Sequence, residues 1–148
     1  YEISTRDWSS DVCSSDLAAV PHLRTAGGGA IVVVASQLGL VAVPDAAAYC
    51  ASKGAAVNLA RAMALDHAAE GIRVNAVCPG PTDTPLVQRF FEEAGDRAAT
   101  QQAFEDATAI GRLIEPSEIA EAIAFLASPR AGATVGAALV VDGGYTTT

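Results

Sequence analysis

Ala30-Ile31-Val32-Val33-Val34-Ala35, read as AIVVVA, decides the fold. The run is apolar throughout and rich in β-branched residues. A strand with one wet face would alternate polar and apolar positions. An unbroken apolar run of this length suits a strand buried on both faces of a parallel sheet. Upstream, Leu17 to Thr25 reads as the end of a helix closed by Gly27-Gly28-Gly29. Downstream, Ser36 to Pro44 reads as a loop, and an Ala-rich helix is expected from about Ala47 to Ala69, closed by Gly71. Gly54 costs that helix some propensity, which fits the close approach of a partner there.

Two more strands follow. Ile72 to Val77, IRVNAV, is expected to stop at Cys78-Pro79-Gly80-Pro81, because proline cannot donate to a ladder. Asp83 to about Ile110 carries Phe90, Phe91 and Phe104 among many charges and suggests short helices in a mobile excursion. Glu115-Pro116-Ser117-Glu118 starts a helix, with Pro in the first turn and acids near its positive end. Ile119, Ile123 and Leu126 give that helix an apolar stripe, and Pro129 ends it. Ala137 to Val141 is the third strand, closed by Asp142-Gly143-Gly144. Short apolar strands alternating with helices mean crossover units, a parallel sheet and the α/β class. Three strands make only about half of a doubly wound sheet. The expected domain is therefore the C-terminal part of one, with its N-terminal half missing.

Composition narrows the function. The chain has 148 residues and a net charge of −8, with eight Arg and one Lys, Lys53. That acidity argues against nucleic acid, whose phosphates call for clustered bases. No apolar run approaches the ~18 residues of a membrane helix. Cys13, Cys50 and Cys78 are widely spaced, without a Cys-x-x-Cys pair or a His/Cys cluster. They read as reduced thiols of a cytoplasmic protein, with no metal site. His22 and His67 read as surface residues on helices. Residues 1–17 stand apart. They are Ser- and Asp-rich, and Asp7 to Leu17, DWSSDVCSSDL, looks like a translated sequencing adapter. Residues 18–148 are then the native part.

Tyr49 and Lys53 lie four residues apart on the long helix, so both side chains share one face. A neighbouring ammonium favours the phenolate and so lowers a tyrosine pKa from its usual ~10. Such a tyrosine can give a proton to a carbonyl oxygen or take one from an alcohol. Ser36 follows the first strand at its C-terminal end, where open parallel sheets bind ligands. It lacks the flanking glycines of a hydrolase nucleophile elbow.

Taken together, these segments resemble the classical short-chain dehydrogenase/reductases. The resemblance rests on Ala30 to Ser36, then Tyr49-Cys50-Ala51-Ser52-Lys53, then Arg73-Val74-Asn75-Ala76-Val77-Cys78-Pro79-Gly80 with Thr84, then Glu115 to Ala120 and Val140 to Gly144. It covers about Ala18 to Tyr145 and implies a Rossmann-like fold and a ketone–alcohol oxidoreductase using NAD or NADP. It further implies Tyr49 as general acid/base, Ser36 as the group orienting the substrate carbonyl, and Lys53 as the group tuning Tyr49 and holding the nicotinamide ribose. Pro79, Gly80, Thr82 and Thr84 resemble the loop that contacts the nicotinamide carboxamide and a phosphate. The implied partners are a small ketone or secondary alcohol and further copies of the chain in a dimer or tetramer.

The chain also departs from the family. The Gly-rich dinucleotide fingerprint and the Asn-Asn-Ala-Gly segment are absent, and Trp8 stands where the family's fourth catalytic residue, an Asn, would align. Gly27-Gly28-Gly29 precedes a strand, so it does not replace the fingerprint. The alternative is therefore an inactive, truncated piece that serves at most as an oligomerisation module, through the Ala-rich helix and the last strand.

Overall fold

The computed structural model describes residues 10–147. Strands β1 (Gly29–Val34), β2 (Ile72–Pro79) and β3 (Ala138–Val141) form one sheet in the order β1-β2-β3. Both pairings are parallel, with Ile31 opposite Val74 and Val77 opposite Leu139. Helix α1 (Ser10–Thr25) precedes the sheet, and α2 (Ala47–His67) crosses from β1 to β2. The crossover from β2 to β3 runs through α3 (Pro85–Glu93), α4 (Arg97–Asp106) and α5 (Pro116–Ala127).

The strands are apolar on both faces because both faces are covered. Ile31, Val33, Val74 and Ala76 pack with Val20 of α1 and Val57, Ala60 and Met63 of α2. On the opposite face, Val77 packs with Ile114 and with Ile119 and Leu126 of α5. The expected α/β sheet with crossover helices is the observed one.

Boundaries differ where backbone contacts decide them. The first helix reaches back to Ser10, eleven residues before the Pro21 it contains. Trp8 and the rest of residues 1–9 lie outside the described residues. Helix α2 ends at His67, and a 3₁₀ turn over Ala68–Glu70 leads to Gly71, whose φ of 72° supplies the left-handed cap. The loop after β1 contains a 3₁₀ turn over Gln37–Gly39. His22 is exposed as expected, but His67 is half-buried, its Nδ1 3.3 Å from Glu70.

The clearest correction concerns β2, which runs through Cys78 and Pro79 instead of stopping at Val77. Val77 accepts from the Ala35 N–H on the β1 side, whereas the Gly80 N–H donates to Val141 on the β3 side. By alternation Pro79 faces the β1 side, where β1 has already ended. Its missing N–H therefore breaks no ladder bond.

Two polar side chains of β2 tie the far end of the β2–β3 crossover to the sheet. Arg73 donates to the carbonyls of Leu126 (2.8 Å), Ser128 (3.0 Å) and Ala131 (3.1 Å), placing a cation at the negative C-terminal end of α5. Fully buried Asn75 donates to the Thr134 carbonyl and accepts from the Ala137 N–H, both at 2.9 Å. At the other end of α5, the Glu115 N–H donates to the Glu118 carboxylate, which also takes a two-pronged contact from Arg112 (2.8 and 2.9 Å). The Arg112 guanidinium first, and then the Glu115 N–H, hold the Glu118 carboxyl down at about 2.

Candidate active site

Ser36 leaves β1 at its C-terminal end and is buried, 8 % exposed. Its Oγ accepts from the Leu38 N–H at 3.1 Å and caps the 3₁₀ turn. One of the hydroxyl's two lone pairs is thus engaged locally, which leaves its proton as a donor. Tyr49 and Lys53 occupy the first two turns of α2, both half-buried, with Lys53 Nζ 5.8 Å from the centre of the Tyr49 ring. Lys53 Nζ also donates to the Val34 carbonyl at 3.2 Å. That bond spans from α2 to the last residue of β1, two residues before Ser36. Lys53 thus links the Tyr49 ring to the C-terminal end of β1, the end from which Ser36 leaves the sheet.

A backbone contact brings them there. A Cβ on Gly39 would lie 2.7 Å from the Lys53 carbonyl oxygen and 2.8 Å from its carbon. The turn carrying Ser36 therefore lies flat on α2 at the level of Lys53, and only a residue without a side chain permits it. Gly54 lies across the same contact, but a Cβ there would meet only the Gly39 carbonyl oxygen, at an ordinary 3.6 Å. The close approach expected at Gly54 exists, and its tight side is Gly39.

Electrostatics follow from burial. Loss of water pushes the Lys53 ammonium below the usual lysine range, with a small opposing pull from Cys78. Burial pushes the Cys78 thiol up, against weaker downward effects from the Ser36 backbone, Arg61 and Lys53. The thiol is thus a neutral neighbour of Ser36 and Lys53 at neutral pH.

The loop after β2 closes the site from the other side. Gly80 allows contact with the turn after β3: a Cβ on it would lie 2.6 Å from Asp142 Cα and 2.7 Å from Gln37 Oε1. The Thr82 hydroxyl donates to the Gly80 carbonyl at 2.9 Å, which leaves its lone pairs as acceptors. The Thr84 Oγ accepts from the Val87 N–H at the start of α3, at 3.4 Å, which leaves its proton as a donor. Asp142 accepts from the Gly144 N–H and from both the N–H and the hydroxyl of Thr146. Burial raises its carboxyl, but these bonds together outweigh that and hold it below the usual aspartate range.

Of the seven residues singled out in the sequence, Pro79 is the last residue of β2, and the other six lie on the loops after β1 and β2 or in the first two turns of α2. Sequence reasoning missed Gly39, Gln37 and Asp142 as parts of this edge, and Cys78 as a neighbour of Ser36 and Lys53. The only sequence signal for Gly39 is a glycine three residues past Ser36. Gln37 carries no signal beyond its place next to Ser36.

An open parallel sheet with helices on both faces defines a doubly wound α/β protein, a class whose ligands bind at the C-terminal edge of the sheet. A family model described as "Enoyl-(Acyl carrier protein) reductase" matches residues 14–146. The chain is 51% identical over 128 residues to the cis-4-hydroxycyclohexanecarboxylate dehydrogenase of Sinomonas cyclohexanicum, covering 86% of this chain and 49% of that protein. It is 46% identical over 128 residues to the meso-2,3-butanediol dehydrogenase of Serratia marcescens, covering 86% and 48%. The crystal structure of a short chain dehydrogenase family protein from Francisella tularensis subsp. tularensis SCHU S4 matches with a TM-score of 0.84 at 32% identity, covering 93% of this chain and 60% of that one. The chain belongs to the short-chain dehydrogenase/reductase family. It spans about half the length of the curated relatives it matches.

Proposed function

We propose that the protein carrying this chain is a nicotinamide-dependent oxidoreductase that interconverts a small ketone and a secondary alcohol, with Tyr49 as the general acid/base. The observation that supports the proposal is Lys53, which lies beside the Tyr49 ring and bonds to the Val34 carbonyl two residues before Ser36, while the turn after Ser36 is backed onto α2 at Gly39. The names of the two dehydrogenase relatives support the substrate class, since each names a hydroxylated substrate.

Each residue takes one part in this reading. The Ser36 hydroxyl, with Oγ occupied by the Leu38 N–H, donates its proton to the substrate oxygen and orients it. The Tyr49 phenol gives a proton to that oxygen as a ketone is reduced and takes one from it as an alcohol is oxidised. Lys53 places positive charge beside the ring and stabilises the negative charge left on the Tyr49 oxygen. A bound nicotinamide supplies or accepts the hydride.

The residues present suit the nicotinamide end of such a cofactor. Lys53 offers N–H donors to ribose hydroxyls. Thr82 offers acceptor lone pairs to a carboxamide N–H, and Thr84 offers a proton to a phosphate at the start of α3. Nothing in these residues selects NAD over NADP. The protein further assembles as a dimer or tetramer. Leu65 on α2, 82 % exposed, and Val140 on β3 supply apolar surface for such contacts. No helix among the described residues is long and apolar enough to cross a membrane.

The test is direct. The protein is incubated with a secondary alcohol and NAD or NADP, and formation of the reduced nicotinamide is followed by absorbance. Turnover that disappears in Lys53→Met supports the reading. A folded protein that binds nicotinamide cofactor yet oxidises no secondary alcohol and reduces no ketone contradicts it.

A further inference from the structure

Asp45 is the only residue other than glycine with a positive φ among the described residues, at 60°. Side chains rarely adopt that region, and Asp and Asn are the usual exceptions. Backbone of this kind costs free energy and clusters at functional sites. Asp45 follows Pro44 in the turn that leads into α2. Proline at the second position and a positive φ at the third characterise a type II turn, whose third position normally takes Gly. The Asp45 side chain is exposed, so burial does not explain the choice of residue.

The turn lies just ahead of Tyr49, where α2 holds itself least well. The Ala46 N-cap makes no side-chain hydrogen bond, and Ala47 and Ala48 are exposed. The Cys50 N–H donates to the Ala46 carbonyl at 2.8 Å. Ala47, Ala48 and Tyr49 thus form the opening turn, whose N–H groups have no intrahelical acceptor. On its other side Tyr49 is firmly held. Its carbonyl accepts from the Ser52 hydroxyl at 2.8 Å, and the Gly39 contact pins α2 at Lys53. The direction in which the chain enters α2 is what remains to place the phenol, and the Pro44–Asp45 turn sets that direction.

We propose that Asp45 is a positioning residue for Tyr49: its left-handed backbone aims the opening turn of α2 so that the phenol meets the substrate oxygen that Ser36 orients. Asp45 acts through Tyr49 and touches neither substrate nor cofactor. Gly would adopt the same φ but leave the turn free to adopt others, whereas Asp holds it with fewer alternatives. The inference rests on the ketone–alcohol reading above and adds to it a residue outside the Ser36, Tyr49 and Lys53 set.

The test is the series Asp45→Asn, Asp45→Ala and Asp45→Val in the protein that carries this chain. Each variant is assayed for oxidation of 2-butanol and cyclohexanol with NAD or NADP, well below its own melting temperature, and for binding of the reduced nicotinamide by fluorescence. Asn tolerates the same backbone and is expected to keep kcat within about threefold of the unsubstituted protein. Val is the residue least suited to a positive φ and is expected to lower kcat about tenfold or more, since a displacement of the phenol approaching 1 Å suffices for that. Ala falls between them. The Kd of the cofactor stays within about twofold throughout, because Lys53, Thr82 and Thr84 are untouched. If Asp45→Val does not fold, Asp45→Ala against Asp45→Asn decides, and equal kcat in those two overturns the proposal. A kcat in folded Asp45→Val within about twofold of the unsubstituted protein overturns it as well. A loss in Asp45→Asn as deep as in Asp45→Val also overturns it and assigns the role to the carboxylate charge. Failure of the unsubstituted protein to oxidise either alcohol overturns the underlying reading, an outcome distinct from a flat series at position 45.

Discussion

Gly39→Ala separates the close approach of two backbones from simple packing. The added methyl would lie 2.7 Å from the Lys53 carbonyl oxygen, and ordinary contact begins near 3.4 Å, so the turn and α2 must part by about 0.7 Å. Backbone on both sides leaves no flexible side chain to give way. Overpacking of this kind costs about 1–3 kcal/mol, equivalent to a melting temperature lower by a few degrees at this chain length. The effect on turnover is expected to be larger than the effect on stability. The turn carries Ser36 and the helix carries Tyr49 and Lys53, so parting them spoils the reacting geometry. A misplacement approaching 1 Å costs about tenfold to a hundredfold in kcat/KM. Gly54→Ala is the internal control. It faces the same contact at 3.6 Å and sits within a helix, where Ala is favoured over Gly by about 0.5–1 kcal/mol. It is expected to raise the melting temperature slightly. Both variants are assayed for alcohol oxidation and thermal unfolding. Wild-type kcat/KM in Gly39→Ala, or a larger defect in Gly54→Ala than in Gly39→Ala, would refute the account of how the site is held together.

Three further outcomes follow from individual bonds. Arg73→Met removes the cation shared by the carbonyls of Leu126, Ser128 and Ala131 and should lower stability by about 2 kcal/mol, read by chemical unfolding. Asn75→Ala strands the Thr134 carbonyl and the Ala137 N–H beside β3 and should cost about 2–3 kcal/mol, with faster amide exchange at Ala137. The Asp142 carboxyl is depressed in the folded chain, so its stabilising effect is present above the ordinary aspartate value of 3.8 and is lost as pH falls through the folded value. Thr146→Val removes the hydroxyl from that carboxylate, so the stability difference between neutral pH and pH below 3.8 should shrink in an acid titration.

Local chemistry was readable from the sequence, and contact between distant segments was not. The strand at Ala30 to Ala35 announced itself because burial on both faces demands a continuous apolar run. The start of α5 did so through Pro116 and Glu118, and the Tyr49–Lys53 pair through helical spacing. The extension of β2 through Pro79 was hidden because it depends on where β1 ends, a property of another strand. Arg73 looks like an ordinary charged residue in a strand until α5, more than fifty residues later, brings its last carbonyls alongside. Gln37 and Gly39 read as loop residues because their roles come from Gly80 and Lys53, which only the folded chain brings to them. The grouping of the candidate residues at one end of the sheet was legible, and the contacts that tighten it were not.

The most direct test of the central claim is the turnover of Tyr49→Phe in the protein that carries this chain, with the fold checked by circular dichroism. The substitution removes one hydroxyl and leaves the ring and its contact with Lys53. Loss of the proton donor and acceptor should lower kcat for alcohol oxidation by about 10²–10⁴-fold. Turnover of Tyr49→Phe within about twofold of the unsubstituted protein would show that the reacting oxygen exchanges its proton elsewhere, and the assignment of Tyr49 would fall.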